Sequence, residues 1–187
     1  YGLSDNVALT RDMLKKLFTA NDNKLQTGFT GMPIMCPTLS DNGMNDLAYT
    51  LLLNEEYPGW LHEILLGATT VWERWNSLDE EGHISSTGMN SLNHYSYGAI
   101  CGWLFGGVCG IHLENKHVTI HPYPDASLGY AHAEYVSPVG KIVSAWKYEG
   151  DNIHYTFEIP ANVTAEVYLE DGQKVTLEAG KHEIVSK

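Results

Sequence analysis

Polar and apolar residues change their repeat along this chain, from about 3.6 in the first part to 2 in the last. Leu3, Val7, Leu14, Leu17 and Phe18 recur at helical spacing, with Ser4 placed to cap, Asp5 in the first turn and Lys15 and Lys16 in the last, which predicts a helix over Leu3–Phe18. Residues 27–37 hold two glycines and two prolines and read as a loop. A second helix is expected from Asn45 to Glu55, with Leu47, Ala48, Leu51 and Leu52 on one face. A third starts at Pro58, buries Trp60, Leu61, Ile64 and Leu65, and stops at Gly67. The β-branched run Thr69-Thr-Val71 predicts extended chain from Ala68 to Trp72, and Asn76 to Met89 reads as an exposed acidic loop. From Ser91 to Cys109 the residues are apolar nearly all round, and Gly98, Gly102 and Gly106 repeat every fourth position, which predicts a buried helix with one thin face.

Beyond Glu114-Asn-Lys116 the pattern alternates. Val118 and Ile120, then Ile153, Tyr155, Phe157 and Ile159, then Val163, Ala165, Val167 and Leu169 mark one face of successive strands. Turn signals at Glu149–Asn152 and Glu170–Gln173 separate them at the spacing of an antiparallel β-sandwich. The domain boundary is expected near residue 113, dividing residues 1–112 from 113–187. About four helices cannot enclose a helix that is apolar all round, so the helical half reads as the end of something larger.

Composition narrows the function more by exclusion. The chain has 187 residues, 43% of them hydrophobic, and a net charge of −12 from 11 basic and 23 acidic residues. Scattered Lys and Arg on an acidic chain argue against a nucleic-acid partner. The most apolar stretch, residues 99–111, is too short to span a membrane. Cys36, Cys101 and Cys109 are odd in number and match no metal spacing, so free thiols are expected. They lean the compartment toward the cytoplasm and leave the periplasm or exterior open. The first residues carry no signal-peptide pattern, but a chain that begins with Tyr1 says little on this point. His112, His117, His121 and His132 invite a metal reading, yet no cysteine or carboxylate completes a ligand set, so neither a metal nor another cofactor is expected. Asn162-Val-Thr164 is a glycosylation sequon, relevant only in a eukaryotic secretory pathway.

The chemistry concentrates in Gly67-Ala-Thr-Thr-Val-Trp-Glu-Arg-Trp75 and Asn93-His-Tyr-Ser-Tyr-Gly98. Glu73 stands between Trp72 and Trp75, beside Arg74, one of two arginines in the chain. A carboxylate against an apolar wall suits a general base; the bland reading is a Glu73–Arg74 surface pair worth at most about 1 kcal/mol. His94 is placed to donate to a substrate hydroxyl or to Glu73, or else simply packs. Trp60, Trp72, Trp75 and Trp103 offer flat faces for sugar stacking, though aromatic side chains mostly bury as core.

These strings resemble the C-terminal part of the α-L-rhamnosidases of glycoside hydrolase family 78. Thr27-Gly-Phe-Thr-Gly31, Asp46-Leu-Ala-Tyr49, Glu55-Glu-Tyr-Pro-Gly-Trp60, the Trp-Glu-Arg-Trp string and Met89-Asn-Ser-Leu-Asn-His-Tyr-Ser-Tyr-Gly98 carry the likeness, in order, along nearly the whole chain. The resemblance implies the terminal helices of an incomplete (α/α)6 barrel followed by a small antiparallel β-sandwich. It also implies Glu73 as general base, His94 as a contact to rhamnose, Trp72 or Trp75 as a wall of the subsite, and hydrolysis of a terminal α-L-rhamnoside with inversion. The family's general acid lies well upstream, with no counterpart in residues 1–187, which implies a fragment inactive alone whose partner is a rhamnose-containing glycoside. The alternative from another class is a stand-alone carbohydrate-binding or assembly module that completes its helical half by pairing with a second copy.

Overall fold

The computed structural model describes residues 5–85 and 88–187, in two compact units, Tyr1–Ala99 and Ile100–Lys187. The first is helical. Helix α1 spans Val7–Ala20 and is capped by Asn6, whose side chain accepts from the Leu9 amide at 3.0 Å; Leu3 and Ser4, placed in this helix by the sequence pattern, lie outside the described residues. Only Phe18 of α1 is buried, and Val7, Leu9, Met13 and Leu17 are exposed, so its apolar stripe is not the core face the spacing suggests.

Helix α2, Met32–Asp41, occupies much of the stretch expected to be a loop. Pro33 falls in its first turn, where a missing N–H costs nothing. Pro37 lies inside it, tolerated because Met32, Met35, Cys36 and Leu39 are buried on the same helix, and that burial outweighs one lost hydrogen bond. Helix α3, Asn45–Leu52, buries Leu47, Ala48, Tyr49 and Leu51 and stops three residues before the expected end. Helix α4, Trp60–Leu65, starts two residues after the expected Pro58 and is followed by Leu66 and by Gly67, whose φ of +90° suits glycine. Its buried face differs from the expected one: Trp60 and Glu63 turn inward, while Ile64 and Leu65 are 59% and 66% exposed. Positions 60 and 63 share a helix face, and that face meets the segments around Trp72 and Tyr97.

The expected helix over 91–109 is three short pieces, a 3₁₀ turn at Tyr97–Ala99, helix α5 at Ile100–Trp103 and a π-helical turn at Leu104–Val108. Its buried side is Ile100, Trp103, Gly107 and Val108, whereas Cys101, Gly102 and Phe105 are exposed. The helix widens where Gly107 sits against the Trp103 indole: a Cβ there would lie 2.4 Å from Cδ1 of Trp103. The second unit is otherwise two four-stranded sheets. Strands β1 (Ile111–Glu114), β2 (His117–Ile120), β6 (Ala165–Tyr168) and β7 (Lys174–Leu177) form one, in the order β1-β2-β6-β7. Strands β3 (Tyr130–Ser137), β4 (Gly140–Glu149), β5 (Asn152–Ile159) and β8 (Gly180–Ser186) form the other, in the order β3-β4-β5-β8. All pairs are antiparallel except β2 with β6, which is parallel.

The alternation read from the sequence is the alternation of burial at Val118, Ile120, Ile153, Tyr155, Phe157, Ile159, Ala165, Val167 and Leu169, all buried, whereas Val163, expected on the same face, precedes β6 and is only half-buried. The β1–β2 approach depends on Gly110, at φ +70°, since a Cβ there would sit 2.1 Å from the His121 carbonyl carbon. Trp146 Nε1 donates to the Val108 carbonyl at 2.7 Å and Ser144 Oγ to that of Cys109 at 2.6 Å, so strand β4 satisfies the end of the π turn.

Candidate functional site

Beyond α4 the chain from Ala68 to Glu73 takes no regular element but runs against residues 91–94. The Glu73 amide donates to the Ser91 carbonyl at 2.9 Å, and the His94 amide donates to the Val71 carbonyl at 2.8 Å. The Thr70 hydroxyl donates to the Leu92 carbonyl. These bonds bring the two strings that stand out in the sequence onto neighbouring backbone segments. The turn that follows is held from inside: Ser77, fully buried, accepts from the Arg74 amide at 3.2 Å and donates to Asn90 Oδ1 at 2.6 Å, and Asn90 donates back to the Ser77 carbonyl.

Glu73 is half-buried. The ring of His94 stacks with Phe29 at 5.0 Å and with Tyr95 at 5.2 Å. Its Nδ1 accepts from the Ser96 amide at 3.3 Å, so the neutral ring carries its proton on Nε2, which is left as a donor. A neutral donor on a fixed ring suits a hydroxyl ligand.

The tryptophans separate. Trp72 is 2% exposed, with its ring in the interior. Trp75 stacks face to face on Tyr97, centroids 3.9 Å apart and planes 5° apart, and meets Trp60 edge-on at 5.4 Å. Trp60 Nε1 donates to the Tyr97 carbonyl at 3.1 Å, and Phe29 meets Tyr97 edge-on at 5.4 Å. Trp75 and Tyr97 line an open cleft of about 530 Å³ together with Tyr57, Pro58, Thr27 and Gly28. Glu73, His94 and Trp72 are not among the residues lining that cleft. Trp103 belongs to the second unit and is core there.

Sequence reasoning missed Glu63. It is 3% exposed, and its Oε2 accepts from the Trp72 amide at 3.4 Å while its Oε1 has no hydrogen-bond partner. Burial pushes its carboxyl up to about 7, partly offset by the Trp72 N–H, which favours the charged form. The one available signal was its spacing of three from Trp60, which puts both on one helix face. Tyr97 and Phe29 were legible only as letters within longer strings; their ring contacts come from the fold.

For a metal, Asp79, Glu81 and His83 bring ligand atoms within 4.8 Å of one another, all exposed, in a turn where the His83 amide donates to Asp79. Of the histidines weighed in the sequence, His117 faces Glu166 at 3.7 Å, His132 faces Glu134 at 3.5 Å, and His121 packs its ring near Tyr123 and Tyr168. No helix among the described residues is long and apolar enough to cross a membrane.

Two family models match this chain: the bacterial α-L-rhamnosidase 6 hairpin glycosidase domain over residues 3–108, and the bacterial α-L-rhamnosidase C-terminal domain over residues 115–183. An α-L-rhamnosidase of Formosa agariphila is 40% identical over 162 residues, and one of Streptomyces avermitilis 37% over 161. The alignments take in 85% and 84% of this chain but only 17% and 16% of those proteins, so the chain spans a small part of its relatives' length. Among solved structures, native α-L-rhamnosidase from Aspergillus terreus matches at a TM-score of 0.91 with 32% identity, over 98% of this chain and 22% of that one. The Streptomyces avermitilis enzyme complexed with L-rhamnose matches at 0.87 with 33% identity, over 95% of this chain and 19% of that one. The helices of the first unit, the β-sheets that follow them in the chain, and the Trp-Glu-Arg-Trp and Asn-His-Tyr strings paired through backbone hydrogen bonds thus agree with these matches, and the chain belongs to the bacterial α-L-rhamnosidase family.

Proposed function

We propose that the intact protein hydrolyses terminal α-L-rhamnosides with inversion, and that this chain supplies the general-base half of the active site. The observation that carries the reading is the hydrogen-bonded pairing of residues 71–73 with 91–94, which sets Glu73 and His94 on adjacent segments. Glu73 is the base that takes a proton from the attacking water. His94 donates its Nε2–H to a sugar hydroxyl, and the flanking Phe29 and Tyr95 rings hold it in that attitude. Of the two tryptophans Trp75, backed by Tyr97 and lining the neighbouring cleft, is the wall residue, whereas Trp72 is buried. The proposed division of the chain into a catalytic part, residues 1–112, and a β-domain, residues 113–187, is compatible with family-model matches over 3–108 and 115–183.

Inversion needs a second carboxyl roughly 6.5–9.5 Å from the first, which protonates the leaving oxygen while the base activates water on the opposite face of the ring. That acid belongs to a part of the protein outside these 187 residues, so the chain is inactive by itself. A rhamnose-containing glycoside is the substrate.

The test is hydrolysis of p-nitrophenyl α-L-rhamnoside, with the product anomer followed by NMR. The expected result is a β-L-rhamnose first product from the intact protein, a fall of about 10²–10⁴-fold in kcat for Glu73→Gln, and no turnover by the 187-residue chain. Turnover by the chain alone, lost in Glu73→Gln, overturns the division of the site. Self-association of the chain with L-rhamnose binding but no hydrolysis in the intact protein favours a sugar-binding module instead.

A further inference from the structure

Glu63 lies near the candidate base and the proposed reaction does not use it. A buried carboxyl oxygen without a partner carries the full desolvation penalty of that group, so an unpaired Oε1 on a 3% exposed side chain calls for a reason. Its place supplies one. Oε2 receives the Trp72 amide at 3.4 Å, and the next amide along, that of Glu73, is given to Ser91 at 2.9 Å. The two peptide units flanking Trp72 are therefore pinned in succession, one by a side chain and one by backbone. The backbone direction from which the Glu73 side chain leaves is set by both.

Resting on the reading of Glu73 as general base, the geometry points to Glu63 as a positioning residue: through the Trp72 amide, its ionised carboxylate holds the 71–73 backbone so that Glu73 is aimed at its water. A carboxylate makes a charge-assisted hydrogen bond to that amide, and a neutral carboxyl a weaker one. Burial already holds the Glu63 carboxyl near 7, so the change between the two states falls close to neutral pH. Tyr97, whose phenol is pushed up by burial and by the charge of Glu63, faces it from the 3₁₀ turn; Tyr57 bears on Tyr97 from the segment before α4; and Glu73 follows Trp72. His62, its neighbour in α4, lies edge-on to Tyr57 at 5.9 Å.

The experiment compares kcat and KM against pH for the intact protein and its Glu63→Gln and Glu73→Gln variants. Glu63→Gln keeps an acceptor oxygen and the side-chain volume but removes the titration. The expected outcome is a kcat about 10- to 100-fold below that of the parent, as for a slightly misplaced catalytic group, with KM held within about twofold and the break near neutral pH in kcat/KM absent. A Glu63→Gln variant with the parent's kcat and the parent's break, alongside an inactive Glu73→Gln, overturns the role of Glu63 and leaves the base reading intact. An active Glu73→Gln overturns the base reading itself. Should Glu63→Gln not fold, amide exchange in the unaltered protein decides: protection at the Trp72 amide, corrected for intrinsic rate, rises through pH 7 if Glu63 holds it. Flat protection there overturns the proposal.

Discussion

The indole of Trp75 and the phenol of Tyr97 lie parallel, 3.9 Å between centroids, and the Tyr97 carbonyl accepts the indole N–H of Trp60 at 3.1 Å. Three aromatic residues from α4, the 73–77 turn and the 3₁₀ turn are thereby locked together, and the same stack forms part of the cleft wall. Trp75→Ala removes both ring contacts of a residue only 7% exposed. It is expected to cost about 3–5 kcal/mol, read as a fall in the urea midpoint of the intact protein. Tyr97→Phe keeps the ring stack and the backbone carbonyl, and is expected to cost far less.

Glu63 makes stability depend on pH with a definite sign. Its folded carboxyl titrates near 7, against an ordinary value of 4.5, because burial disfavours the charge. Between those values the folded chain holds a proton that the unfolded chain has released, so stability falls as pH rises. The contribution is complete below about pH 4.5 and is lost as pH passes through 7. The loss is on the order of 2–3 kcal/mol for one buried carboxyl. Glu63→Gln removes this component, so the difference in unfolding midpoint between variant and parent should grow in the variant's favour from pH 5 to pH 8. A constant difference across that range contradicts it.

His94 separates packing from ligand contact. Its ring is held by Phe29 at 5.0 Å and Tyr95 at 5.2 Å, contacts that a phenyl ring reproduces. His94→Phe keeps the ring contacts but removes both the Nε2 donor and the Nδ1 acceptor of the Ser96 amide, so the unfolding midpoint is expected to fall by the equivalent of about 1–3 kcal/mol while the folded variant lacks the substrate contact. A lost hydrogen bond to a substrate hydroxyl is worth about 1–3 kcal/mol, or roughly 5- to 150-fold in kcat/KM on the rhamnoside substrate. Equal kcat/KM in variant and parent would remove His94 from the substrate contacts.

The sequence by itself determined the order of the parts. Alternation at Ile153, Tyr155, Phe157 and Ile159 is sufficient to define a strand, because side chains in a strand point to opposite faces by local geometry alone and one face must be buried. The motifs around Glu73 and His94 were legible for a similar reason: residue type and order are local. What only the tertiary structure decided are relations between distant segments. The fold made a helix of the proline-bearing 32–41 stretch because long-range burial of Met35, Cys36 and Leu39 outweighed local propensity, and it broke 97–108 into three helical types around Gly107 and Trp103. It turned Trp75 toward the cleft and Trp72 into the interior, a choice that no spacing of two tryptophans contains. Above all it buried Glu63 in place of Ile64 and Leu65. A helix pattern ranks faces by hydrophobicity and does not place a carboxyl inside; in the fold Glu63 meets the amide of Trp72, nine residues away in the chain, a contact that offsets part of the desolvation.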